Sequence, residues 1–151
     1  MPIVEPLTRA EIKKAGLGEA MEEADALGVP DDLFFRILGH VPGYTEALYD
    51  SLHRSYATGN VDHKLKEVIR VRLARHAGDS YFAGLRSNAA AEAGLDEATI
   101  QAGSGEFQAD SRFSAAEKWA LRYASLMFTE PKWINKAFYE EGKTHYTEAQ
   151  I

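Results

Sequence analysis

Strict alternation of apolar and polar residues, the mark of a half-buried strand, is scarce in this chain, whereas apolar residues recur at spacings of three and four from end to end. In a sequence rich in alanine, leucine and glutamate this period predicts an all-α fold. At 151 residues and 45% hydrophobic content the chain can bury one core but not two comfortable ones, so a single domain over 1–151 is expected.

Capping chemistry divides that helical pattern. Thr8 with Glu11 forms a capping box that opens a first helix, and Gly16-Leu17-Gly18 interrupts it before a second segment ending near Gly28-Val29-Pro30. Asp31 or Asp32 caps a short helix through His40, and Pro42 fits the first turn of the next, which closes near Ala57 before Gly59-Asn60. Asp62 is the expected N-cap of a helix over 63–77, and a second helix is expected from Asp79 to Ala93, closed by Gly94 and ending in small alanines suited to close packing. After a Gly103-Ser104-Gly105 loop, Ser114 with Glu117 opens a helix through Trp119, Leu121, Ala124 and Phe128, and Pro131 starts one more around 133–141. Thr147 with Gln150 is a further box, yet only Ile151 follows. A helix that short does not repay nucleation, whose cooperativity parameter is on the order of 10⁻³, so the polypeptide is expected to continue and the domain to lack its final C-terminal helix.

The chain has no cysteine, which removes disulfides, thiolate metal sites and thiol nucleophiles. A formal charge of −6 argues against nonspecific binding to nucleic acid or acidic membranes, which requires clustered Lys and Arg. The N-terminal residues carry no basic segment followed by an apolar run, and no uncharged apolar stretch is long enough to span a bilayer, so a cytoplasmic location is expected. A Gly-rich phosphate loop, a serine nucleophile elbow and a dinucleotide fingerprint are all missing from the sequence, and no cofactor is expected.

On the 63–77 helix, Leu65, Val68, Ile69 and Leu73 make an apolar stripe into which Arg72 and His76 also project. Polar groups there need partners, so the stripe is expected to face a ligand cleft, another subunit or an internal ion pair. His63 and Glu67 have the i, i+4 spacing of a helical metal pair, but no third ligand is evident, and no metal is expected. Glu67 can also pair with Arg70. Asp79, at a helix start, is suited to accept from unpaired backbone amides. On a continuous helix Asp79, Phe82 and Arg86 would lie within about 60° of one another on one face.

The run Lys64 to Gly78, followed by Asp79 to Gly94, resembles the core of the carboxymuconolactone decarboxylase and alkylhydroperoxidase D superfamily. That family's pattern is a Glu, twelve residues on a Cys-x-x-Cys, and a His four further along. In register this sequence offers Glu67, then Asp79 and Phe82 in place of the cysteines, Tyr81 before the second, and Arg86 in place of the histidine. The resemblance implies an all-α fold built on an antiparallel helix hairpin that assembles into trimers or hexamers. It implies no thiol peroxidase activity, and the decarboxylase branch, which uses no cysteine, loses its histidine at Arg86. The expected function is therefore a cysteine-free, decarboxylase-like protein acting by proton transfer on a small acidic or polar molecule. Glu67, Asp79 and Arg86 would be its catalytic residues, and Tyr81, Phe82, His76 and Arg72 would contact substrate. The alternative is a noncatalytic oligomeric binding or scaffold protein that kept the fold and lost the site.

Overall fold

A computed structural model describes residues 3–151, and among them ten α-helices, one π-helical turn and one 3-10 turn account for the regular structure, with no strand. The described residues fall into two compact units. One takes the chain up to Gly59 together with Leu85–Ala89, the other Asn60–Gly84 with Ala90–Ile151.

In the first unit α1 (Arg9–Lys14), α2 (Gly18–Leu27), α3 (Asp32–Leu38) and α4 (Pro42–Leu52) follow one another, and α4 runs into a π-helical turn, His53–Ala57. The Thr8 capping box forms as read, with Thr8 Oγ1 accepting from the Glu11 amide at 3.2 Å and Glu11 accepting from the Thr8 amide at 2.8 Å. Gly28 closes α2 at φ +83°, its amide donating to the Ala24 carbonyl, a left-handed conformation that favours glycine. Ile12, Leu17, Met21, Ala24, Phe35 and Tyr49 make the core. The fourth helix does not reach Ala57 as a regular α-helix; its last turn is wound wider.

In the second unit α5 (His63–His76) is capped by Asp62, which accepts from the Lys64 and Leu65 amides. Gly78, at φ +70°, then reverses the chain into the short α6 (Ser80–Gly84). The continuous helix expected over 79–93 is not formed: α6 stops at Gly84, Leu85 to Ser87 are non-helical, and α7 spans Asn88–Glu92. The cause lies in the first unit, where Asn88 Nδ2 donates to the Ala26 carbonyl and the Arg86 carbonyl crowds Gly28 so closely that a Cβ there would lie 2.7 Å away. Those contacts override helix propensity next to Gly84, a weak helix former.

The remaining helices of this unit are α8 (Glu97–Ser104), α9 (Ala115–Thr129) and α10 (Lys136–Gly142), with the 3-10 turn Pro131–Trp133 between the last two. Here α8 takes in Gly103 and Ser104 of the loop read at 103–105, and Gly105 is its C-cap. Asp96 caps it through the Thr99 amide, and Gly103 is needed because a Cβ would lie 2.2 Å from Val68 Cγ1. On α5 the buried face is made by Leu65, Glu67, Val68, Val71 and Ala74. Ile69 and Leu73 are half-buried and His76 is exposed, which corrects the stripe read from the sequence. The core centres on Trp119, whose indole lies 5.0 to 5.7 Å from the rings of Tyr123, Phe138 and Tyr146 and donates to the Phe138 carbonyl at 3.2 Å. The terminal box is occupied: Gln150 Oε1 accepts from Thr147, and its Nε2 donates to the Asn60 carbonyl at 2.9 Å. None of the described helices is long and apolar enough to cross a membrane.

Candidate functional site

Glu67 sits on the inner face of α5 with its side chain fully buried. A carboxylate taken out of water requires a close counter-charge, and Arg70, one turn on, supplies it. The pairing is bidentate, with Arg70 Nε donating to Oε2 at 2.7 Å and Nη2 donating to Oε1 at 2.9 Å. The Arg70 side chain is itself only 14% exposed, and the third guanidinium nitrogen donates to the Phe82 carbonyl on α6.

Asp79 lies at the other end of the same short turn. Its amide donates to the Ala74 carbonyl, which closes α5, while its Oδ1 accepts from the Phe82 amide at 2.9 Å, which opens α6. The peptide groups of Phe82 are therefore held from both sides, the N–H by Asp79 and the C=O by Arg70. Asp79 itself is exposed. The rings of Tyr81 and Phe82 stand partly in solvent, edge to face at 5.6 Å.

The other residues of the expected site are placed elsewhere. Arg72 is half-buried and serves the core, donating to Ser125 Oγ at 2.5 Å and to the carbonyls of Gly103 and Gly105, with its guanidinium 4.6 Å from the Phe107 ring centre. Of the three surroundings expected for it, an internal one is found, met by carbonyls and a hydroxyl rather than by a carboxylate. Burial lowers the pKa of this guanidinium, a shift opposed by the charge of Glu106. His76, at the exposed end of α5, stacks on Phe128 at 6.4 Å, and partial burial followed by the charge of Arg72 holds its pKa below the usual imidazole value. Arg86 belongs to the first unit, where its Nη1 donates to the Leu85 carbonyl at 2.6 Å. Because the helix breaks at 85–87, the single helical face assigned to Asp79, Phe82 and Arg86 does not exist.

Glu67, Arg70, Asp79 and the Phe82 backbone thus form one constellation in the second unit. Its member missed by residue type is the Phe82 carbonyl, for which no sequence signal exists beyond the i, i+3 spacing of Glu67 and Arg70. Chemically, both Glu67 oxygens are engaged by a guanidinium. Among the described residues no group of three or more His, Asp or Glu side chains is placed to hold a metal ion.

The architecture is that of an all-α protein with the alkylhydroperoxidase D-like fold. Among solved structures the chain is similar to the debrominase Bmp8, crystallised as a cysteine-to-alanine variant in complex with 2,3,4-tribromopyrrole, with a TM-score of 0.76 over 99% of this chain and 78% of that one. Sequence identity is 22%, so the likeness establishes the fold and nothing finer. No family model and no curated protein matches the sequence.

Proposed function

We propose that this is a small-molecule-binding protein of the alkylhydroperoxidase D-like fold, in which Glu67, in register with the glutamate of the family's pattern, serves a structural ion pair and a ligand is bound elsewhere on the chain rather than converted. The observation that carries this reading is the buried, bidentate Glu67–Arg70 pair. Bidentate pairing with one guanidinium occupies a lone pair on each oxygen of the carboxylate and weakens it as a proton acceptor, and separating the pair would strip a buried charge of this counter-charge. Thiol peroxidase chemistry is closed to a chain without cysteine. A small, weakly polar ring is a reasonable ligand class, given the tribromopyrrole bound by the structurally similar debrominase.

Thermal shift against 2,3,4-tribromopyrrole, small carboxylates and lactones tests this, with mass spectrometry of the recovered ligand. At least one class is expected to stabilise the protein and to be recovered unchanged. Turnover of any of them that Glu67→Gln abolishes in a folded variant would overturn the proposal and restore the proton-transfer reading built on Glu67, Asp79 and Arg86.

The same proposal includes assembly of the chain with itself. Supporting it, Met127, Phe128 and Trp133, at the end of α9 and in the 3-10 turn, are each more than half exposed. Light scattering is expected to give a mass of at least two chains, with a trimer or hexamer the leading expectation; a monomer at micromolar concentration would refute it.

A further inference from the structure

The first unit carries a second constellation, distinct from the Glu67 position and independent of how that position is read. Helices α2 and α4 flank a broad open groove of about 930 Å³. Tyr49, on its wall, is only 5% exposed, with its ring 5.0 Å from Phe35 and its hydroxyl donating to Glu23 Oε2 at 3.0 Å. One turn further on, His53 opens the π-helical turn, a local geometry frequent at functional sites. Its Nδ1 stands 3.6 Å from the same Glu23 oxygen, is sealed from solvent and has no hydrogen-bond partner. The imidazole as a whole is nevertheless 28% exposed and lines the groove, so the rest of the ring makes its contact with solvent.

Together these groups make an imidazole backed by an oriented carboxylate. Burial, then the hydrogen bond and charge of Glu23, push the Tyr49 phenol well above its usual range, so it stays a donor and fixes the Glu23 carboxylate. A carboxylate behind Nδ1 favours the tautomer with the proton on Nδ1, which leaves Nε2 as the acceptor. The groove's charge then selects what it accepts from. Arg54 is paired with Asp50 and Lys13 with Glu22, whereas Glu19 and Glu46, also on the lining, form no ion pair among the described residues. Such a surface repels anions and draws cations.

We propose that this groove is a binding site for small organic ammonium ions, in which His53 Nε2 accepts a hydrogen bond from the ligand N–H, Glu19 and Glu46 supply the counter-charge, and Glu23 with Tyr49 position the imidazole. The neutral imidazole is the competent form. Protonating it removes the acceptor and adds a like charge, so binding weakens when the ring takes up a second proton. The carboxylates that line the groove with it from α2 and α4 are Glu19, Glu22, Glu23, Glu46 and Asp50.

Nitrogen-detected NMR of the histidine rings, with benzylamine as cationic probe and benzoate as anionic control, tests the proposal on the full chain. At about pH 8 benzylamine is expected to shift the His53 ring signals saturably in the millimolar range, and benzoate to leave them unmoved. At about pH 5, where benzylamine is still a cation, its affinity is expected to drop about tenfold. His53→Phe should bind at least about tenfold more weakly, and Glu23→Gln should redistribute the ring proton between the two nitrogens. If His53→Phe does not fold, the pH dependence of the wild type and the tautomer shift in Glu23→Gln decide the matter. Failure of benzylamine to bind at the higher pH, equal binding at both pH values, equal binding of benzoate, or a wild-type ring protonated on Nε2 would each overturn it.

Discussion

Replacing Arg70 with methionine is expected to destabilise the protein by about 3–5 kcal/mol, because the fully buried Glu67 carboxylate would lose the guanidinium that donates to both of its oxygens. The loss would extend beyond the pair, since the Phe82 carbonyl also loses its donor. Chemical denaturation monitored by far-UV circular dichroism measures it. A double variant, Glu67→Leu with Arg70→Met, should recover most of the loss, because removing both charges also removes the cost of desolvating them. A single Arg70→Met variant within about 1 kcal/mol of wild type would mean that Glu67 is not the buried, paired carboxylate described here.

Trp119→Ala is the second large effect, expected at about 3–5 kcal/mol. The indole is 3% exposed, packed among three aromatic rings, and fastened by its N–H to the Phe138 carbonyl. Gly142 lies so close beneath it that a Cβ there would sit 2.1 Å from the Trp119 ring, so the neighbouring backbone is fitted to this side chain and cannot readily collapse into the space it leaves. The unfolding midpoint in urea gives the measurement, and a change below about 1 kcal/mol would contradict the packing.

Helix starts were the most legible part of the sequence, because a cap is a local device. Thr8, Asp62 and Ser114 cap the helices they were expected to cap, since each acts on an amide two or three residues away. The helix at 97–104 was hidden by Gly103 and Gly105, although Asp96 three residues before Thr99 was a usable signal. Gly103 marks close contact with Val68 rather than a loop, and only the packed structure distinguishes the two. The break at Leu85 to Ser87 was illegible for the same reason: it is held by Asn88 and by the carbonyl of Arg86 against the end of α2, residues far away in sequence. At the Glu67 constellation the i, i+3 partner could be read, but not its burial or the reach of Arg70 to Phe82, which depends on how Gly78 turns α6 back toward α5.

That reach sets how the protein's charges divide under added salt. Ion pairs in water, such as Arg9 with Asp25, Arg54 with Asp50 or Lys13 with Glu22, lie within range of mobile counterions and fade as ionic strength rises. The Glu67–Arg70 pair, with its carboxylate buried and its arginine side chain only 14% exposed, is screened far less. In concentrated electrolyte the turn carrying Tyr81 and Phe82 therefore keeps its shape while the acidic groove of the first unit loses much of its field, so one chain holds a salt-tolerant element and a salt-sensitive one.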